Sequence, residues 1–359
     1  MPVVVPPIMW IKRGFDENFA ETSVQSVYCR NVLHSYSHRS LPVMNRNSTA
    51  KSIRIRGQRY EVLERLSTPW RGRWKVHHRS PAPRGTTYTV IELPFSEESE
   101  QLRRSVARIP QNQYGLPKLI DVETSDGTTK LLLSWCEGID LATYYTRFRK
   151  FDSSPIGVWE AIRRSKSMAY SLSDLHYSAR IIHADIKPAN LILPSDRGAM
   201  FLIDFGSGWQ IERTSRRCLG DGSNVTYSSP EIFQELDAVD ARADQFSLAV
   251  VLFEMLTGKP PYRGYGGKAG HIGFEKIANR YQPPSVVLGS TNVPRSVMRE
   301  IDDVLRQALQ VRPEMRFPNS QEFAQALGGI WQSLQSKADH LSKHRSFSQT
   351  VWNWLAHPG

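Results

Sequence analysis

Residues 181–206 read IIHADIKPANLILPSDRGAMFLIDFG, and the rest of the chain is organised around them. Two short apolar runs, Leu191-Ile192-Leu193 and Phe201-Leu202-Ile203, have the length and composition of buried strands. The turn residues of 194–198 between them predict a hairpin. Polar side chains crowd its two ends, with Asp185, Lys187 and Asn190 before it and Asp204 after it. A hairpin brings those ends together, so two carboxylates, an amide oxygen and an ammonium face one small volume. Such a group can ligate a hard cation such as Mg²⁺ through oxygen and accept a proton from an attacking hydroxyl.

Taken together, His183-Ala184-Asp185, Lys187, Asn190 and Asp204-Phe205-Gly206 resemble the catalytic loop and metal-binding triplet of the bacterial-type serine/threonine protein kinase family. The resemblance implies an α+β, bilobal protein-kinase-like fold with a small antiparallel β N-lobe and a larger, mainly helical C-lobe. It also implies ATP and Mg²⁺ as cofactors and a protein as substrate. Position by position, Asp185 matches the catalytic base, and Asn190 and Asp204 the metal-binding residues. Lys187 matches the lysine beside the transferred phosphate. The implied layout is a basic, disordered leader over 1–56, an N-lobe over 57–137, a C-lobe over 138–330 and a tail over 331–359.

The upstream half departs from that pattern. A strand around residues 60–66 leads into the place of a glycine-rich loop, whose three glycine positions fall at Ser67, Pro69 and Gly72. Only Gly72 keeps its glycine, and Pro69 has no amide hydrogen for a phosphate. Arg71, Arg73 and Lys75 read first as solvent-facing strand residues; the alternative is positive charge standing in for the lost donors. On the next strand, 87–93, Ile91 falls at the phosphate-gripping lysine, and a shift of one puts Glu92 there. That lysine's partner glutamate, on a helix over 96–108, falls near Arg103 or Arg104, with Glu97, Glu98 and Glu100 in reach only in a changed register. Losing both members of an ion pair is physically coherent, because either alone is a charge in a semi-buried cleft.

Residues 131–138 read as the last strand of the N-lobe and the hinge. There the resemblance sets the backbone of Ser134 to Cys136 against the adenine edge, with Leu133 behind it. Downstream, His176 reads as a packed core histidine at the end of a helix over 157–179. Ala184 stands where an arginine often reads a phosphorylated loop, so that switch is not expected here. The segment 207–229 matches an activation and substrate-binding loop, with Asn224 in place of the usual threonine. Glu231 and Arg316 match a buried structural ion pair, and Asp244 the anchor of the catalytic-loop backbone. Residues 241–257 are apolar almost all round and predict a fully buried helix. Helices over 300–309 and 320–327 follow, and Trp331, Phe347, Trp352 and Trp354 lie in a tail whose structure stays open.

Composition narrows the remaining choices. The chain has 359 residues, 40% of them hydrophobic, enough for a large core. Its net charge of +11 is concentrated at the ends: residues 1–56 hold eight Lys/Arg against three Asp/Glu, and 332–359 hold three against one. No run of five like charges occurs, so solvated tails are expected and nucleic acid is not an expected partner. Cys29, Cys136 and Cys218 are scattered and odd in number, which fits a reducing, cytoplasmic location and no disulfide framework. No run is long enough to span a membrane, and the proline-containing start, residues 1–11, does not read as a signal peptide. Oligomeric state is not encoded legibly. Two functions follow: a serine/threonine protein kinase with weak ATP affinity and a slow rate, or a pseudokinase serving as scaffold or allosteric module.

Overall fold

The computed structural model describes residues 52–66, 72–78, 86–110, 113–148, 156–196, 198–205, 209–211, 225–233, 239–267, 281–289 and 291–344. Its upper part is an antiparallel sheet in the order β1-β2-β3-β4-β6-β5. The strands are β1 (Ser52–Ile55), β2 (Gln58–Arg65), β3 (Gly72–His78), β4 (Thr87–Pro94), β5 (Leu119–Ser125) and β6 (Thr128–Ser134). Asp126 and Gly127, both at positive φ, close the β5–β6 hairpin; Asp-Gly is the favoured pair for a tight turn that matches strand twist.

Alternation divides the sheet's side chains between two cores. Val76, Val90 and Leu132 join Ile55 and Tyr60 in a small outer cluster. Ile91, Leu93, Leu131 and Leu133 face the other way, into the main core that runs on into the helical lobe. Helix α1 (Glu97–Val106) packs on that inner side. It starts at a reciprocal cap in which Ser96 Oγ accepts from the Ser99 amide at 3.2 Å and Ser99 Oγ from the Ser96 amide at 3.0 Å.

Gly138 follows the hinge at φ +148°, and a Cβ there would run into the Leu193 carbonyl, so only glycine lets the chain cross so close to the hairpin that holds Leu193. Strand β7 (Ile139–Asp140) and helix α2 (Leu141–Phe148) lead to α3 (Val158–Asp174), which ends in a π-helical turn over Leu175–Ala179. Next come β8 (Ile181–Ile182), β9 (Leu191–Leu193), β10 (Phe201–Leu202) and β11 (Trp209–Gln210). The predicted hairpin forms, with Phe201 opposite Ile192 and Leu202 opposite Leu191. Helix α4 (Arg242–Thr257) is buried all round, as its apolar circumference predicts. Helices α5 (Arg295–Ala308) and α6 (Ser320–His344) complete the lobe.

Several boundaries differ from the sequence reading. Strand β1 lies inside the stretch assigned to the leader, whose residues 1–51 lie outside the described residues. Helix α6 runs straight through the division expected at 330. Its Leu334 and Ala338 are buried, and Trp331 packs on Trp159 of α3 with ring centroids 4.4 Å apart. That apolar face explains the extension, because it gives the helix a surface to cover. Phe347, Trp352, Trp354, Asn224 and most of 207–229 lie outside the described residues. Among the described residues, no helix is long and apolar enough to cross a membrane.

Candidate active site

A carboxylate from beneath fixes the catalytic loop. Asp244, fully buried in the first turn of α4, accepts the backbone amides of His183 and Ala184 at 2.7 and 2.8 Å. His176, in the π turn, donates Nε2–H to the same carboxylate at 2.8 Å and meets Ser320 Oγ through Nδ1 at 3.1 Å. It is the packed core histidine the sequence suggested, here fastening three elements. Burial by itself would raise the Asp244 carboxyl, but these donors outweigh it and hold the group below the ordinary aspartate range. His183 in turn spans to the far strand: Nε2–H donates to the Ile203 carbonyl at 3.1 Å, and Nδ1 accepts the Asp185 amide at 3.3 Å. Ala184 is held at φ +59° and Asp204 at φ +70°, left-handed conformations that a non-glycine residue keeps only where its surroundings enforce them.

On this frame the predicted side chains converge. Lys187 Nζ donates to both oxygens of Asp185, at 2.9 and 2.7 Å. Asn190 Nδ2 donates to the Asp185 carbonyl at 2.8 Å and to Asp185 Oδ2 at 2.9 Å. The amide nitrogen of Asn190 is therefore committed, and its oxygen is the atom suited to a cation. The Ile203 amide donates to the Asn190 carbonyl at 2.9 Å, which holds the segment leading to Asp204 beside Asn190.

A magnesium ion fits this donor set. One carboxylate and one amide oxygen are hard ligands of the kind Mg²⁺ takes alongside phosphate oxygens and water. Among the described residues no cluster of three His, Cys, Asp or Glu could hold a metal unaided.

The upper side of the cleft is built differently. Ile91 is 7% exposed and belongs to the main apolar core. In the register of β3 and β4, Gly72 lies opposite Glu92 and Arg73 opposite Ile91. Arg73 forms an ion pair with Asp204. This corrects the expectation that Arg73 faces solvent: its side chain is 13% exposed. The sequence left Arg73 between a solvent-facing strand residue and a stand-in for the lost donors, because the strand register that aims it downward cannot be read from the glycine pattern.

Arg103 and Arg104, which stand near the position of the lost partner glutamate, are bound to Glu100 at 2.5 and 3.0 Å. The Arg103 hydrogen bond, with help from Arg104, brings the Glu100 carboxyl down to about 2. The residues that α1 buries are Ser99, Ser105 and Val106, with Leu102 packed on the main core.

In the hinge, Leu133 is buried and Ser134 exchanges hydrogen bonds with Lys118, its hydroxyl accepting the Lys118 amide at 2.9 Å. Residues 135–137 leave the sheet, so their main chain is not committed to a strand ladder. The Trp135 indole donates to Glu137 at 2.7 Å, and Lys75 Nζ lies 4.2 Å from its ring centroid. Burial pushes the Cys136 thiol up to about 12, which leaves it no nucleophile.

Below the site, Arg316 makes two bonds to Glu231, at 2.6 and 2.8 Å, and also donates to the carbonyls of Gln310, Arg242 and Val311. Every charge of this buried pair is satisfied, which makes it tolerable in the core.

The protein kinase domain model matches residues 111–327, more than half of the chain, beginning beyond the strands that carry Arg73 and Ile91. The chain is 30% identical over 206 residues to serine/threonine-protein kinase ATG1b of Arabidopsis thaliana, covering 55% of this chain and 27% of that protein. It is 29% identical over 233 residues to serine/threonine-protein kinase PknH of Mycobacterium bovis, covering 65% and 36%. The chain thus spans about a quarter to a third of these relatives' length. In fold it resembles the PknI kinase domain of Mycobacterium tuberculosis, with a TM-score of 0.53 at 22% identity, covering 79% of this chain and 99% of that one.

Proposed function

The chain belongs to the protein kinase family, and from that premise we propose that it is a serine/threonine protein kinase moving the γ-phosphoryl group of ATP to a protein hydroxyl. The observation that carries the proposal is the joined set Asp185–Lys187–Asn190 standing beside Asp204. Asp185 orients the acceptor hydroxyl and takes its proton as the new O–P bond forms and ADP leaves. Lys187, already on Asp185, balances the charge of the phosphoryl group in flight. Asn190 and Asp204 would hold Mg²⁺, which supplies charge neutralisation and orientation of the phosphates. Leu133, Ser134 and Cys136 would line the adenine slot, with Gly72 at the lip. The reducing, cytoplasmic placement inferred from the cysteines belongs to the same proposal.

Incubation with labelled ATP and Mg²⁺ tests it. Asp185→Ala should lower incorporation by roughly 10²- to 10⁴-fold; label that is absent from the wild type, or equal in the two, rejects catalysis. One feature favours a second reading, a nucleotide-responsive binding module without turnover: the lysine position is a buried isoleucine. That module would show a melting shift with ATP and no transfer.

A further inference from the structure

The apolar core claims position 91, so the phosphates of a bound nucleotide need a cation from elsewhere. The strand register points to one. Residues paired across antiparallel strands share a face of the sheet, with Cβ atoms about 4.5–5.5 Å apart. Arg73 is the cross-strand partner of Ile91. Its neighbours Trp74 and Val76 pack in the outer cluster, so alternation sends Arg73 to the cleft side. There its guanidinium meets Asp204, nearly excluded from solvent. Among the described residues, two other cations are engaged differently: Lys187 lies on Asp185, and Lys75 lies over Trp135. A guanidinium matches the two oxygens of a carboxylate and the oxygens of a phosphate with the same planar fork.

We propose that Arg73 supplies, from the neighbouring strand, the phosphate-binding cation that position 91 lacks, and that it rests on Asp204 until a nucleotide arrives. This rests on the reading of the site as a nucleotide site. Arrival then works as an exchange of partners. Arg73 passes from the carboxylate to the phosphates, and Asp204 Oδ2, which it had held, turns to the accompanying Mg²⁺. Without the metal the exchange would set the Asp204 carboxylate against the phosphates with its Arg73 pairing lost. Nucleotide binding should therefore depend on Mg²⁺ and on phosphate count together, while adenosine, which needs no exchange, should be indifferent to both.

Calorimetry with adenosine, ADP and ATP, each with and without Mg²⁺, tests this on the wild type, on Arg73→Ala and on Arg73→Ala/Ile91→Lys. Arg73→Ala should weaken Mg·ATP binding by about 10- to 100-fold, the size of one lost charge-assisted contact. Adenosine affinity should stay within about threefold. The double variant should recover part of the Mg·ATP affinity, because a lysine at 91 projects from the same face. Arg73→Gln, which keeps length and hydrogen bonding without the charge, serves where Arg73→Ala melts early, and it should weaken Mg·ATP in the same direction. An unchanged or improved ratio of Mg·ATP to adenosine affinity in Arg73→Ala or Arg73→Gln overturns the proposal and makes the ion pair a mere obstruction. A wild type that binds adenosine and ATP equally overturns it as well. Failure of the wild type to bind any of the three ligands is the separate result that removes the nucleotide site itself.

Discussion

The two walls of the cleft carry charge by opposite methods. In the lower wall, Asp185, Lys187 and Asn190 lie within six residues of one another, and their mutual bonds form in a loop that Asp244 clamps through two amides. In the upper wall the ion pair joins residues more than a hundred positions apart, Arg73 and Asp204, and exists only because two strands align in one register. Local clusters survive small shifts of the chain around them. A cross-lobe pair is lost when a strand slips by one, since every side chain then changes face. The lower wall is thus a rigid part of the helical lobe, and the upper one a contact that can be made and broken.

That contrast can be attacked first at its foundation. Arg316→Ala should cost about 3–5 kcal/mol of stability, because it leaves Glu231 charged and buried. Denaturant melts of this variant should show the helical lobe failing; a loss under about 1 kcal/mol would mean that the lower wall is not rigid for the reason given.

Asp244→Asn comes next, at about 1.5–3 kcal/mol at neutral pH, for hydrogen bonds to a charged acceptor. Its pH signature has a definite sign. A carboxyl depressed in the folded state stabilises the protein above its unfolded titration range, and that stability is lost as the pH falls through the folded value. His176 and His183 are the titratable neighbours facing it. The wild type should lose stability steeply on acidification below about pH 4, and Asp244→Asn should lose it less steeply. Parallel acid limbs for the two proteins would remove Asp244 as the clamp.

The smallest effect belongs to the upper lobe. Ser96→Ala removes one half of the α1 cap and should cost about 1 kcal/mol. A melt in which this variant is as damaged as Arg316→Ala would erase the distinction between the walls.

The convergence of Asp185, Lys187 and Asn190 was legible in the sequence because it is a matter of spacing along the chain. The buried helix around Phe246 and Leu252 was legible for a similar reason: an apolar circumference admits no other placement. Arg73 was not, because a glycine pattern reduced to Gly72 aligns the loop without fixing which face the following strand shows. The engagement of Arg103 and Arg104 by Glu100 was, by contrast, open to reading, since spacings of three and four make neighbours on any helix. The length of α6 escaped because Trp331, Leu334 and Ala338 are sparse among polar residues, and only the surface of α3 gives that spacing meaning.

Helix α6 has a practical consequence for anyone trimming this protein. It is about 37 Å long at 1.5 Å per residue and continues for seventeen residues past the last position of the family match. Cutting there would strip the cover from Trp159 and expose an oily stripe where Leu334 had been, so the shortened product should clump or be degraded. The unit to express, immunise with or crystallise extends at least to His344.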